Sequence, residues 1–89
     1  MRHKEITIIN KLGLHARAAA KLVQTASAFS SEISVAHNSK KVSGKSIMGI
    51  MMLAASRGTA LEIITAGTDE HEAMQALETL ILDRFGEGE

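Results

Sequence analysis

The chain alternates between two hydrophobic patterns, one typical of strands and one typical of helices. Four segments of alternating, β-branched character predict strands, at residues 5–9, 32–37, 40–43 and 60–65. Apolar residues spaced by three or four positions predict three helices: Ala16 to about residues 27–30, Ile47 to Ala55, and from just after Asp69 to about Phe85. Asn38–Ser39 is predicted to turn the second strand into the third as a hairpin.

Polar residues and glycines predict where these helices begin and end. Ser46 is suited to cap the second helix, and Gly58 is a plausible C-terminal stop for it. Asp69 with Glu72 resembles a capping box in which Asp replaces Ser or Thr. We expect the last four residues, Gly-Glu-Gly-Glu at 86–89, to fray.

The predicted order is β-α-β-β-α-β-α in a single domain spanning residues 1–89. Placing all three helices on one face of a four-stranded, mostly antiparallel sheet gives an α+β fold. We therefore predict a two-layer, open-faced sandwich.

Composition narrows the classes of partner. The 10 basic residues balance the 10 acidic ones, and the chain has no Trp or Tyr, so a nucleic-acid-binding domain is disfavoured. The longest apolar run, Ile47–Ala55, is far below the ~20 residues of a membrane span. With no Cys and no His pair at helical ligand spacing, we expect no metal site and no cofactor. A cytoplasmic location is the default for such a chain.

The first helix begins in an unusual way, within the segment Gly13–Arg17. No Ser, Thr, Asp or Asn stands at positions 13–15, although such a cap typically adds ~1 kcal/mol. The first turn carries the cation Arg17 and no carboxylate, although the helix dipole there favours negative charge. Free N–H groups, a cation and the imidazole of His15 together suggest an anion site.

His15 is the candidate nucleophile at this site. A neutral imidazole nitrogen can attack a phosphoryl group, and the phosphate oxygens could accept bonds from the amides of Ala16 and Arg17 and from the Arg17 guanidinium. The alternative is a surface histidine with no role, which is the commoner case for an isolated histidine. We assign that alternative to the other histidines, with His3 at a frayed terminus, His37 at the hairpin turn and His71 in the first turn of the last helix.

A second candidate site lies at Ser46 and the helix that follows it. Residues 47–53 are apolar almost all round, so a short helix must expose some of them. Ile47, Met48 and Met51 share one face, and such a Met-rich patch suits a surface that meets several partners. Ordinary core filling remains an equal alternative. Phosphorylation of Ser46, whose simpler role is the N-cap, would place about two negative charges beside the patch.

These residues resemble the HPr family, the histidine-containing phosphocarriers of the bacterial phosphoenolpyruvate-dependent phosphotransferase system, together with the nitrogen-branch relative NPr. The resemblance rests on three stretches: Asn-Lys-Leu-Gly-Leu-His-Ala-Arg at 10–17, Gly-Lys-Ser-Ile-Met-Gly at 44–49, and the Met-rich residues 51–58. It also covers the order of elements. The first two motifs at this separation are highly specific.

The resemblance implies a relay in which the chain is a phosphoryl carrier rather than a stand-alone enzyme. Enzyme I would phosphorylate His15 on Nδ1, Arg17 would contact the phosphate, and a IIA-type protein would receive it. Ser46 matches the position that HPr kinase/phosphorylase modifies in many members. A docking surface is implied, formed by Leu14, Ala20, Gln24, Ile47, Met48 and Met51. We expect a monomer.

One residue departs from the pattern of the HPr family. The family commonly has proline after the motif arginine, and this chain has Ala18. Alanine is a good helix former, so we expect the helix to form and the difference to affect how rigidly Arg17 is held.

A hypothesis from another class is a regulatory binding module, in which the phosphorylation state of the protein controls docking to a kinase, a transcription factor or a permease. The motif around Ser46 favours some regulation of this kind.

Overall fold

The protein is described by a computed structural model that covers residues 1–89. Its elements are β1 (Arg2–Thr7), α1 (Ala16–Ser27), β2 (Glu32–His37), β3 (Lys40–Ser43), α2 (Ile47–Met52), β4 (Ala60–Ala66), α3 (Glu70–Leu82) and a short 3₁₀ helix (Arg84–Gly86). The four strands form one sheet in the order β1-β4-β2-β3, with every pair antiparallel. The predicted element order and the open-faced sandwich are confirmed.

One apolar core joins the sheet to the helices. Along β4, Leu61 and Ile63 are fully buried while Glu62 between them is exposed, as expected for a strand with one face covered. The helices contribute residues at helical spacing: Ala18, Ala19, Leu22 and Ala26 from α1, and Ala73, Met74, Leu77 and Ile81 from α3. Each large side chain buried in this way stabilises the fold by about 1.5–3 kcal/mol.

The first strand begins earlier than its hydrophobic pattern predicts. β1 spans Arg2–Thr7, and its polar residues pair with β4, with His3 opposite Ile64. The expectation that His3 lies in a frayed terminus is therefore wrong, and its Nδ1 atom lies 3.2 Å from Glu62 Oε2. Backbone hydrogen bonds to β4 order these residues. Because β4 is distant in the sequence, this pairing cannot be predicted from the hydrophobic pattern of residues 2–4.

The second helix is shorter than predicted. It ends at Met52, with Leu53 as its C-cap and Ala54 in the left-handed region at φ 51°. Gly58 is not the helix stop; it lies in the turn before β4, where its N–H donates to Ile8 O at 2.8 Å. Glycine is the usual residue in the left-handed conformation that ends a helix. Because alanine occupies this position here, the sequence does not indicate where the helix ends.

The capping-box prediction at α3 is wrong. Asp69 stands at the N-cap position, but its side chain makes no bond to its own helix. Instead, its carboxylate accepts hydrogen bonds from the backbone amides of Ser30 and Ser31, each at 2.9 Å. The Ser31 hydroxyl also donates to it and is the main reason that the pKa of Asp69 falls to about 2.

Candidate functional site

His15 occupies the N-cap position of α1. Its backbone is extended (φ −75°, ψ 177°), its carbonyl accepts the Ala19 N–H at 2.9 Å, and its side chain makes no capping bond. The first turn of the helix contains no acidic residue. The predicted uncapped start is confirmed, and it leaves the imidazole free for other contacts.

The loop before His15 is tightly held. The side chain of Asn10 is fully buried and donates to Gly13 O at 2.8 Å, while Leu14 N donates to Ala55 O at 2.9 Å. Gly13 has φ +68°, and a Cβ there would lie 2.7 Å from Ala55 O. This position therefore requires glycine, and the loop that presents His15 is fixed on both sides.

The end of the chain packs against the same loop and helix. Phe85 is fully buried, and its carbonyl accepts a hydrogen bond from Lys21 Nζ at 2.6 Å. Further along, Glu89 O accepts a hydrogen bond from the Lys11 amide. The expectation that residues 86–89 fray is wrong, because long-range contacts with the loop and α1 hold this segment.

Glu87 is the functional candidate that sequence reasoning missed. One carboxylate oxygen, Oε2, contacts Nε2 of His15, and the other, Oε1, accepts a hydrogen bond from Asn10 Nδ2 at 2.9 Å. The side chain of Glu87 is only 12% exposed and that of His15 is 26% exposed. Glu87 lies 72 residues from His15, and no spacing rule connects positions so far apart.

The charge on this carboxylate is maintained by its partners. Burial is the largest single effect and opposes ionisation, but the hydrogen bonds from Asn10 and His15 and the electrostatic attraction of His15 and Arg17 together outweigh it. The pKa of Glu87 is therefore below its ordinary value. At neutral pH the group next to His15 is a carboxylate, which can only accept hydrogen bonds.

Arg17 lies next to this contact without being bound in it. Its side chain is exposed and forms no hydrogen bond or ion pair with the rest of the chain. It lines a groove together with Lys11, Lys21 and Glu87. Ala16 is also exposed at the start of the helix. The structure thus places a free guanidinium beside an uncapped helix start, as an incoming anion would require.

Ser46 is the N-cap of α2, as predicted. Its hydroxyl oxygen accepts a hydrogen bond from the Gly49 amide at 3.1 Å, and the first turn of the helix contains no acidic residue. The side chain remains partly exposed. Its hydroxyl therefore caps the helix and is still within reach of solvent.

The predicted docking residues divide by exposure. Ile47 is 44% exposed, Met48 74% and Met51 43%, so they form an apolar face on α2, while Ile50 is buried. Leu14 is only 6% exposed and belongs to the core, so it adds little to any such face. Gln24 is exposed and Ala20 half-buried.

Two further large apolar side chains near the candidate site residues in the sequence are exposed. Met52 is 62% exposed, and Leu12 in the loop before His15 is 67% exposed. Because α2 ends early, Met52 is on its last turn and escapes burial. Met52 therefore adds to the exposed apolar surface of α2.

The other histidines do not form part of a second candidate site with metal-binding geometry. His37 lies on the hairpin and His71 at the start of α3, and no group of three or more His, Cys, Asp and Glu side chains is placed to hold a metal ion. No helix is long and apolar enough to cross a membrane. Among the contacts between basic and acidic groups, the one between His15 and Glu87 is the only one in which both side chains are less than one-third exposed.

The chain is similar to known proteins over nearly its whole length. The family model described as the PTS HPr component phosphorylation site matches residues 2–83. Phosphocarrier protein HPr of Neisseria meningitidis serogroup A is 61% identical over 89 residues, covering 100% of both chains. The crystal structure of HPr-C-His from Thermoanaerobacter tengcongensis is 54% identical, covers 98% of both chains and has a TM-score of 0.95. An HPr dimer structure from that organism has a TM-score of 0.79, covering 98% of this chain and 100% of the other.

Proposed function

Because this chain belongs to the HPr family and is a phosphocarrier protein of the phosphotransferase system, we propose that it accepts a phosphoryl group on Nδ1 of His15 from phospho-Enzyme I and passes it to IIA-type proteins. The observation that carries the proposal is the position of His15 at an uncapped helix start with a free arginine in the first turn of the same helix. A stable phosphate ester would not suit a relay, whereas a phosphohistidine is readily transferred.

The residues around His15 have complementary roles in this proposal. The amides of Ala16 and Arg17 point out of the helix start and can donate to phosphate oxygens. The Arg17 guanidinium can form charge-assisted bonds with the same oxygens. Ala18 is fully buried in α1, and the helix forms without the usual proline. The site thus supplies a nucleophile and an electrostatic clamp, and the partner supplies the phosphoryl group.

Labelling with phosphoenolpyruvate tests the proposal directly. Incubation with Enzyme I and phosphoenolpyruvate should add one acid-labile, base-stable phosphate, and His15→Ala should abolish it. His71→Ala is the matched control, because His71 is exposed on α3 and makes no contact with the site. Absence of labelling in the unaltered protein, or labelling that survives in His15→Ala, would refute the carrier function.

Ser46 is proposed as a regulatory phosphorylation site for an ATP-dependent HPr kinase/phosphorylase. A phosphate there would be favoured by the start of α2 and would put about two negative charges beside Met48 and Met51. We expect ATP-dependent labelling that is lost in Ser46→Ala and retained in Ser43→Ala. Labelling of Ser46 without any transfer from His15 to a IIA protein would favour the regulatory binding module over the carrier.

The apolar face of α2 is proposed as the docking surface for both relay partners. It comprises Ile47, Met48 and Met51, with Ala20 and Gln24 nearby on α1, and its exposure supports the proposal. We further propose that the carrier acts in the cytoplasm as a single-domain monomer, since each partner must reach His15 in turn. Sedimentation equilibrium tests the oligomeric state.

A further inference from the structure

The carboxylate of Glu87 bridges two groups of the candidate site, Asn10 and His15. Asn10 Nδ2 donates to Gly13 O at 2.8 Å and to Glu87 Oε1 at 2.9 Å. Both acceptors are oxygens, so the amide nitrogen of Asn10 must face them and its orientation is fixed. The second oxygen of Glu87 then faces Nε2 of His15. A buried amide thus aims one carboxylate at one ring nitrogen.

This arrangement determines which ring nitrogen carries the proton. An ionised carboxylate has no hydrogen to donate, so the contact requires a proton on Nε2 of His15. In the neutral ring the lone pair is then on Nδ1, and no protein group forms a hydrogen bond with Nδ1. The partner of one imidazole nitrogen therefore leaves the other as the nucleophile.

We propose that Glu87 is a positioning residue for phosphoryl transfer, an inference that rests on the function proposed above. It keeps the proton on Nε2, so that Nδ1 of His15 is the atom that attacks. The new bond forms between Nδ1 and phosphorus as the bond between phosphorus and the donor group of phospho-Enzyme I breaks, and that bond's electron pair stays with the donor. The Nε2 proton stays on the ring, which becomes positively charged next to the Glu87 carboxylate.

The rest of the C-terminal segment supports this role. Phe85 is fully buried, its carbonyl is bound by Lys21 Nζ, and the Lys11 amide binds Glu89 O. These contacts lie on either side of Glu87 along the chain. The carboxylate is therefore presented by an anchored segment instead of a mobile one, as orienting a ring requires.

Glu87→Gln separates positioning from simple packing. Glutamine has nearly the same shape, but Asn10 Nδ2 is a donor and will select the glutamine oxygen. The glutamine NH₂ group then faces Nε2 of His15, which must accept, so the proton moves to Nδ1. That tautomer cannot attack through Nδ1. Glu87→Ala, in contrast, removes the hydrogen-bond partner of Nε2, so both neutral tautomers of His15 are accessible.

The test compares these variants with Glu89→Gln, which removes the same charge from the same segment without touching His15. We expect phosphoryl acceptance from phospho-Enzyme I to be roughly tenfold slower or more in Glu87→Gln, and less impaired in Glu87→Ala, because a hydrogen bond made to the wrong tautomer must be broken first. Glu89→Gln should match the unaltered protein. A purely structural role predicts the reverse order, with Ala worse than Gln, and that order would overturn the proposal.

Imidazole ¹⁵N NMR of the unphosphorylated protein supplies an independent measurement. At a pH where His15 is neutral, the proton should be on Nε2 in the unaltered protein and on Nδ1 in Glu87→Gln. Retention of the proton on Nε2 in Glu87→Gln would overturn the inference even if labelling of His15 succeeds. Because this measurement needs no phosphoryl donor, it reports on Glu87 separately from the labelling experiment that tests the carrier function.

Discussion

Asp69 joins the start of α3 to the start of β2 through Ser31, whose backbone amide donates to Asp69 Oδ1 at 2.9 Å and whose hydroxyl donates to the same oxygen. Ser30 makes the corresponding pair of bonds to Oδ2. Four donors thus converge on one carboxylate, and they account for the fall of its pKa to about 2 from the ordinary value of 3.8.

This pairing predicts a pH-dependent contribution to stability. Because the folded-state pKa of Asp69 is lowered, its stabilising effect is complete above the unfolded-state value near 3.8 and is lost as the pH falls through about 2. Urea unfolding should therefore show that Asp69→Asn is less stable than the unaltered protein at pH 7. The difference should shrink between pH 4 and pH 2.

Asp83→Asn serves as the control for that experiment, because the Asp83 side chain forms no hydrogen bond or ion pair. Its stability should follow that of the unaltered protein at each pH. A gap between Asp69→Asn and the unaltered protein that stays constant down to pH 2 would contradict the assignment of the effect to the ionised carboxylate.

Gly13→Ala should destabilise the loop that presents His15. The residue would keep φ +68° and its Cβ would lie 2.7 Å from Ala55 O, so both strain and crowding act. We expect a loss of about 1–3 kcal/mol in the free energy of unfolding. In Gly58→Ala, where φ is +91° and nothing lies within 4 Å of the added carbon, only strain acts. Equal losses in the two variants would show that crowding is unimportant.

Ser46→Ala should cost about 1 kcal/mol in thermal or urea unfolding, because the Gly49 amide loses the cap that it now bonds at 3.1 Å. Ser46→Asp should keep most of this stability, since aspartate also caps helices. The two substitutions therefore separate capping from charge. If Ser46→Asp lowers the affinity for Enzyme I while its stability is retained, the charge beside α2 is responsible.

Met48→Glu should weaken partner binding without unfolding the protein. The Met48 side chain is 74% exposed, so its replacement should change stability by less than about 0.5 kcal/mol. Titration calorimetry with Enzyme I should show at least a severalfold weaker complex. Leu82→Glu, at an apolar residue 49% exposed at the end of α3, is the control and should bind as the unaltered protein does. Equal weakening by both would argue against a docking surface on α2.

The local elements of this protein could be predicted because each depends on neighbouring residues. The helical spacing from Ala16 onward and the alternation in residues 32–37 and 60–65 led to α1, β2 and β4 within a residue or two. The absence of a cap before Ala16 and the serine at position 46 were also visible, since capping acts over three residues. The errors in the bounds concern β1, α2 and the end of α3. The start of β1 depends on pairing with β4, α2 ends before a left-handed alanine, and α3 ends at Leu82 because Arg84 and Phe85 are also left-handed.

The sequence by itself determined the order of the elements, the uncapped start of α1 with His15 and Arg17, and the cap at Ser46. Only the tertiary structure decided that Glu87 contacts His15, that Asp69 binds Ser31 and that Leu14 is buried. The physical reason is the range of the interactions. Helix spacing and capping act within a few residues, whereas a hydrogen bond between residues 72 positions apart exists only after the core has brought them together.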